Sequence, residues 1–111
     1  MDVNNNRLVT IQFLSGKLAC LISESLLDDK AKETYLQRLR KLQDDTVFCD
    51  FIQMVQGVLS PTDVKYIFFF YIMMSAEEIS VVFNIDPHSV YTARYRIRKK
   101  VRNVCGCDLI I

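Results

Sequence analysis

The stretch SAEEISVVFNIDPHSVYTARYRIRKKV, residues 75–101, decides the fold because it carries the clearest signals for where helices begin and end. Ser75 and Glu78 have the S-x-x-E spacing of a capping box, which predicts a helix that begins at Ala76. Asn84 predicts the end of that helix, since asparagine tolerates the left-handed backbone conformation of a tight turn. A short turn and a second helix are expected to follow.

The second helix is predicted by its start signals and by its hydrophobic spacing. Asp86 is a good N-cap residue, and Pro87 suits the first helical position, where its missing N–H does no harm. Val90, Ile97 and Val101 lie within a narrow arc at 100° per residue, which predicts a buried seam along this helix. Two short capped helices joined by a tight turn are typical of a helix-turn-helix.

The side of this helix opposite the seam is polar, aromatic and basic. All six basic residues of the segment 85–111 lie between Arg94 and Arg102, while the whole chain has a net charge of only +1. Positive charge concentrated on one helix of a nearly neutral protein is typical of a local site for a polyanion. A solvated basic helix end, favoured by the helix dipole, is the alternative interpretation of the charge alone.

These residues also resemble a known family. The run LSPTD, residues 59–63, and the stretch 75–101 are similar to the DNA-binding domain of LuxR-type response regulators, whose pattern reads roughly L-T-x-x-E, then S-x-x-E-I-A-x-x-L-x-I-S-x-x-T-V-x-x-H-x-x-x-I-x-x-K-L. The likeness covers about the last half of the chain and is to the subgroup with A-R-Y-R-[LI]-R-K-K. Ser80 replaces the usual Ala, Ala93 replaces a common His, and the helix after Ser60 is more apolar than the family usually shows.

Together, the helical spacing and the resemblance predict an all-α protein of the winged-helix-like superfamily. An N-terminal helical hairpin is expected in residues 1–45, followed by a four-helix LuxR-like helix-turn-helix domain in residues 46–111. The resemblance implies a transcriptional regulator that binds double-stranded DNA sequence-specifically, with the helix at 87–103 in the major groove. The residues expected to contact DNA are His88, Ser89, Tyr91, Thr92, Tyr95, Arg96, Arg98, Lys99 and Arg102.

The expected contacts differ in kind along this helix. By the family pattern, Tyr91, Thr92 and Tyr95 face the base edges, where hydroxyl groups can hydrogen-bond and a threonine methyl can touch thymine. His88 and Ser89 lie at the helix N-terminus, which suits phosphate because backbone N–H groups are free there. Of the basic residues, Arg96, Lys99 and Arg102 lie nearest the outer arc. Arg94 lies closer to the seam, where it is expected to pack its stem or to pair with an acid.

The rest of the chain predicts four more helices. Helical spacing of apolar residues places them at about 7–27, 29–43, 46–57 and 61–74. Gly57 is expected to be the C-cap of the third, and Ser60 with Asp63 a capping box for the fourth. The stretch VKYIFFFYIMM, residues 64–74, contains Lys65 and is far short of the ~20 apolar residues of a bilayer span. A buried helix is expected there, and no membrane segment.

Signatures of catalysis and of metal binding are missing from the sequence. No GxGxxG, P-loop, HExxH or G-x-S-x-G pattern occurs, there is one histidine, and paired acids fall at helix starts, where capping explains them. We therefore expect no enzyme, no cofactor and no metal, with Cys105 and Cys107 as ordinary thiols. The polar start MDVNNN is unlike a signal peptide, so a cytoplasmic protein is expected.

A homodimer is also predicted. One helix-turn-helix reads few base pairs, so pairing on symmetric half-sites is the common way to gain affinity. The first helix offers an apolar stripe for the purpose, and helix 61–74 is apolar on more sides than a lone four-helix domain can cover. The residues of the stripe are Leu8, Ile11, Leu14, Leu18, Leu21 and Ile22. Packing against the second helix of the same chain is the competing explanation.

Two other functions stay open at this point. One is a helical protein–protein interaction module that keeps the helix-turn-helix shape without DNA binding. The other is a sigma-factor-like element that touches DNA only within polymerase. Salt-dependent affinity for free duplex separates DNA binding from both alternatives.

Overall fold

The computed structural model describes residues 3–105, with side chains described from 11 to 104, and this part of the chain is all-helical. It contains α1 (Val3–Glu24), α2 (Asp29–Leu42), α3 (Thr46–Val55), α4 (Pro61–Tyr71), α5 (Ala76–Phe83) and α6 (Pro87–Cys105). The predicted all-α class is confirmed. Within the described range, no helix is long and apolar enough to cross a membrane. Cys107, and the side chain of Cys105, lie outside the described residues.

Local signals in the stretch 75–101 have the predicted roles. The N–H of Glu78 donates to Oγ of Ser75 at 3.1 Å, and the N–H of Ser75 donates to Oε1 of Glu78 at 3.0 Å, which completes the capping box of α5. Asn84 ends α5 in the left-handed conformation, with φ 56° and ψ 52°. The N–H of His88 donates to Oδ1 of Asp86 at 2.7 Å, so Asp86 caps α6.

Other predicted helix ends were wrong. α3 ends at Val55 with Gln56 as its C-cap in a right-handed conformation, and Gly57, the next residue, does not adopt the left-handed conformation of a capping glycine. At α4 the hydroxyl of Ser60 does accept the N–H of Asp63 at 3.1 Å. The carboxylate of Asp63, however, is directed to α6 instead of back to Ser60, so the reciprocal capping box predicted there is wrong. α4 also ends three residues before the predicted 74, since the chain turns at Met73 with φ 69°.

Helix α4 lies at the centre of the hydrophobic core. Seven of its eleven residues are buried, which explains why it is apolar on almost every side. Its aromatic rings meet neighbouring helices edge to face: Phe68 packs on Phe48 of α3 with centroids 4.9 Å apart, and Tyr66 packs on Phe83 of α5 at 5.1 Å. Such edge-to-face contacts add to the stabilisation from buried area. The aromatic run of α4 is therefore core.

The apolar stripe of α1 is largely buried within the chain. Ile11, Leu18 and Ile22 are completely buried, and Leu14 and Leu21 are partly buried against the same core. α1 packs against α2, α3 and α5, so one hydrophobic cluster spans both regions of the predicted division at residue 45. The stripe is thus covered as the competing explanation required, and it gives the dimer prediction no support. The side chain of Leu8 is outside the described residues.

Candidate nucleic-acid interface

Helix α6 is held against α4 and α5 by the seam that its sequence predicts. Val90, Ala93, Ile97 and Val101 are at most 3% exposed, and they recur at helical spacing on the side that meets α4 and α5. Ser80 is buried in α5, where its hydroxyl donates to the carbonyl of its own helix at residue 77. A small side chain with its polar atom satisfied fits a helix that is packed closely by another.

The opposite side of α6 faces solvent. All nine residues expected to contact DNA are exposed, and Tyr95 is the more exposed of the two tyrosines at 70%, against 49% for Tyr91. Several of the nine already interact with other parts of the chain through their side chains. Tyr91 donates to Oε1 of Glu77 in α5 at 3.2 Å, and Thr92 donates to the carbonyl of His88 at 3.1 Å. Arg96 and Arg102 also have partners within the chain.

One basic stripe on α6 surrounds a surface cleft of about 280 Å³. Its lining residues are Tyr95, Arg98, Lys99 and Arg102. The spacing i, i+3, i+4 and i+7 places them on one face of the helix. Nζ of Lys99 lies 6.0 Å from the ring centroid of Tyr95, which brings the cation and the aromatic ring to the same surface. Three cationic side chains and a phenol around one cleft form a surface suited to phosphate and sugar.

Arg96 and Lys100 are directed away from this cleft, to a buried carboxylate on α4. Nη2 of Arg96 donates to Oδ1 of Asp63 at 2.5 Å, and Nζ of Lys100 donates to Oδ2 at 3.4 Å. The side chain of Asp63 is only 1% exposed. Burial alone would raise its pKa, but the hydrogen bond and charge of Arg96, helped by Lys100, outweigh that effect and hold the pKa of Asp63 below its usual 3.8. Asp63 is therefore an ionised, paired carboxylate in the folded protein.

Arg94 lies over the core edge. Its guanidinium carbon is 4.7 Å from the ring centroid of Phe70 in α4, a cation–π contact that places the charge beside the seam. The expected position of Arg94 near the seam is confirmed, but the guanidinium, whose Nε is buried, packs on the core as well as the stem. The six basic residues of α6 therefore divide into three environments: one over Phe70, two on Asp63, and three around the cleft.

Sequence analysis missed the role of Asp63, for which a signal existed. Ile67 and Phe70 follow Asp63 by four and seven residues, a spacing that places all three on one face of α4. An acid on the buried face of an apolar helix needs a cationic partner, since an unpaired buried charge is strongly destabilising. The capping-box spacing from Ser60 predicts a local role for the same residue and so masks this signal. Glu77 is one of the paired acids at a helix start, and no local pattern in the sequence indicates its bond to Tyr91.

Comparison with protein-family models, with curated proteins and with solved structures gave no match. The likeness to LuxR-type domains therefore stays a prediction that rests on the quoted residues. Among the described residues, no group of three or more His, Cys, Asp or Glu side chains is placed to hold a metal ion.

Proposed function

We propose that this chain binds double-stranded DNA sequence-specifically, with α6 in the major groove, and acts as a transcriptional regulator. The observation that carries the proposal is the exposed basic stripe of α6, together with the absence of any acidic residue from positions 87–105. An α-helix with its side chains is about 10–12 Å wide, which matches the major groove of B-DNA at about 12 Å. The capped turn before α6 presents the helix in the manner of a helix-turn-helix.

The side chains of α6 suit three kinds of contact. Arg98, Lys99 and Arg102 border one cleft and are assigned to phosphates, which fix the register of the protein on DNA. The backbone N–H groups at the start of α6, beside His88 and Ser89, are assigned to a further phosphate. These contacts supply affinity without sequence information.

Base readout is assigned to Tyr91, Thr92 and Tyr95. The hydroxyl of Thr92 donates its proton to the carbonyl of His88, so its oxygen can accept from a base amino group while its methyl touches thymine. The hydroxyl of Tyr91 donates its proton to Glu77, so its oxygen can likewise accept from a base amino group. Tyr95, the more exposed of the two tyrosines, makes its hydroxyl available to a base. Acceptors of this kind favour the amino groups of adenine and cytosine.

The arrangement of helices is assigned by the same proposal. Helices α3 to α6 would be the four helices of a LuxR-like domain, and α1 with α2 the hairpin before it. Two copies are proposed to bind symmetric half-sites, since one α6 reads few base pairs. That proposal rests on the number of bases to be read, because the apolar stripe of α1 is used inside the chain.

The test is selection of binding sites from random duplexes, followed by affinity measurements at several salt concentrations. The unmodified chain should select a motif and show an affinity that falls steeply with salt. Arg98→Gln with Lys99→Gln should weaken binding to all sequences and flatten the slope of log affinity against log salt by about one to two units. The matched control is Arg40→Gln with Lys41→Gln, two exposed cations of α2, which should leave the slope unchanged.

The alternatives give different outcomes in the same experiment. A chain without affinity for any duplex at low salt is not a DNA-binding protein, and the interaction module would then be favoured. Binding that needs polymerase to be present would favour the sigma-factor-like element. If Arg40→Gln with Lys41→Gln weakened DNA binding as much as Arg98→Gln with Lys99→Gln, the effect would come from net charge and not from the α6 surface.

A further inference from the structure

We infer that Asp63 is a specificity-determining positioning residue: its buried carboxylate takes the place of a DNA phosphate for Arg96 and Lys100, and so keeps two of the six cations of α6 out of sequence-independent binding. The inference rests on the proposed function of α6. It changes the role that the sequence suggests for Arg96, from a phosphate contact to a strut that fixes α6.

The geometry of the contact supports a fixing role. Arg96 and Lys100 are four residues apart, so they project from successive turns of α6. Each approaches a different oxygen of the one carboxylate, Oδ1 and Oδ2. Asp63 itself lies in the first turn of α4, where Ser60 accepts its N–H. Two attachments one turn apart on a capped helix resist both sliding and rotation of α6, which are the motions that shift base contacts.

Burial is unequal across the contact, and this inequality decides what happens without the carboxylate. The side chain of Asp63 is 1% exposed, whereas those of Arg96 and Lys100 are 48% and 42% exposed. Removing Asp63 would therefore leave the two cations with access to solvent, where they can turn outward. Removing Arg96 would leave a buried carboxylate with Lys100 as its weaker partner. Arg96 and Lys100 can exchange this contact for water, whereas the buried carboxylate of Asp63 cannot.

A released Arg96 would lie beside the proposed interface. At 100° per residue, Arg96 lies 40° around the helix from Thr92, which is assigned to bases, and 60° from Lys99, which is assigned to phosphates. A guanidinium in that position binds DNA phosphates strongly, since the fork of Arg donors matches phosphate oxygens. Each added phosphate contact steepens the salt slope by about 0.9 and strengthens binding roughly tenfold near 0.1 M salt, whatever the sequence. Asp63 thus restrains non-specific affinity.

The experiment compares Asp63→Asn with the unmodified chain on its selected site and on a random duplex. Asparagine keeps the size of the side chain and the N–H that Ser60 caps, and it removes the charge that holds the cations. We expect affinity for the random duplex to rise roughly tenfold or more, the salt slope to steepen by about one to two units, and the ratio of specific to random affinity to fall. Glu33→Gln, an exposed acid of α2, makes the same change in net charge and should leave all three unchanged.

Two further variants identify the cause. In the Asp63→Asn background, Arg96→Gln with Lys100→Gln should return the salt slope to that of the unmodified chain. In the unmodified background, Arg96→Gln alone should leave the slope as it is, because Arg96 is bound to Asp63 and not to phosphate. This second variant also decides the matter if Asp63→Asn does not fold.

Three results would overturn the inference. A slope that Asp63→Asn does not change shows that the released cations do not reach DNA. A slope that flattens by about one unit in Arg96→Gln alone shows that Arg96 already binds phosphate. If the unmodified chain binds no duplex, the proposed function fails first and this inference falls with it, so the two failures are distinguishable.

Discussion

The hydroxyl of Tyr35 in α2 donates a hydrogen bond to Oε1 of Glu78 in α5, with 2.6 Å between the two oxygens. The same Oε1 accepts the N–H of Ser75, so one carboxylate oxygen both closes the capping box of α5 and holds α2. Three residues further along α2, Arg38 donates to the carbonyl of Ile72 at 2.9 Å. Helix α2 is thereby bonded at two points to the first turn of α5 and to the residues just before it.

Removing the hydroxyl of Tyr35 should measurably destabilise the protein. A hydrogen bond to a charged partner contributes about 1.5–3 kcal/mol, so Tyr35→Phe should lower the free energy of unfolding by about that amount in denaturant titrations. Tyr95→Phe is the matched control, since its hydroxyl is exposed on α6 and its loss should change stability by less than about 0.5 kcal/mol. Equal stability of the two variants would mean that the Tyr35–Glu78 bond contributes nothing net.

The same bond predicts a loss of stability at alkaline pH. Burial, and then the hydrogen bond and charge of Glu78, raise the pKa of Tyr35 from 10.0 to about 12. Because the folded-state pKa is raised, this contribution is fully present below the unfolded pKa of 10.0 and is lost as pH rises to about 12. The stability difference between the unmodified chain and Tyr35→Phe should shrink over that interval. Phenolate absorbance of the folded chain should show one late-titrating tyrosine fewer in Tyr35→Phe, where Tyr66 and Tyr71 remain, with pKa values that burial also raises.

How much of this structure the sequence predicts depends on how far along the chain the two partners of each interaction lie. Ser75, Glu78, Asn84 and Asp86 were interpreted correctly because a cap is made within three residues of the side chain that forms it. The bond from Tyr35 to Glu78 spans 43 residues, and no local pattern indicates it. Its existence depends on how α2 lies across the start of α5, which packing alone decides.

Ambiguous signals explain the remaining errors. The spacing of Ser60 and Asp63 fits a capping box and also fits one acid on a buried helix face, and the contact with α6 selects the second. The stripe of α1 shows that one face of the helix is apolar but not what covers it. A dimer interface and an intramolecular core require the same apolar pattern, so the sequence does not distinguish them. Of the site, the exposed arc of α6 was predictable from helical geometry, whereas the division of its cations was not.

The pairing of Asp63 predicts a specific loss of stability in acid. Its pKa is lowered in the folded protein, where the pull of Arg96 and Lys100 exceeds the effect of burial. A lowered folded-state pKa contributes stability that is present above the unfolded pKa of 3.8 and is lost as pH falls through the folded value. The free energy of unfolding should therefore exceed that of Asp63→Asn near neutral pH, and the two should converge below about pH 4. A constant difference across that range would contradict the pairing.

The turn between α5 and α6 predicts an order of tolerated residues at position 84. Asn84 has φ 56°, a conformation that glycine adopts freely and that costs a β-branched residue about 1–2 kcal/mol or more. Asn84→Gly should stay within about 1 kcal/mol of the unmodified chain, while Asn84→Val should lower thermal stability clearly. Asn103→Val, at an exposed position within α6, is the matched control and should have little effect, because asparagine and valine have similar helix propensities. Similar melting temperatures for both valine variants would show that the turn does not require a left-handed residue.

Helix α1 allows a direct test of whether its apolar stripe is core or interface. Leu18 is completely buried inside the chain, whereas Phe13, five residues earlier, is 62% exposed. An aspartate at position 18 would bury a charge in an apolar environment, which costs about 4 kcal/mol or more against a total stability of about 5–15 kcal/mol. We therefore expect Leu18→Asp to lose cooperative unfolding at every concentration, and Phe13→Asp to keep it. Circular dichroism with light scattering measures both.

The two explanations of the stripe differ in what Leu18→Asp leaves behind. If the stripe were a dimer interface, Leu18→Asp would give a folded chain of 12.9 kDa, and the unmodified chain would scatter at about twice that mass and fall toward it on dilution. If the stripe is core, Leu18→Asp gives an unfolded chain at any concentration, and the mass of the unmodified protein is set by other surfaces. The burial of Ile11, Leu18 and Ile22 against α2, α3 and α5 favours the second outcome. A pair of chains would then form through surfaces outside the stripe, and light scattering with and without a symmetric DNA site would show whether DNA assembles it.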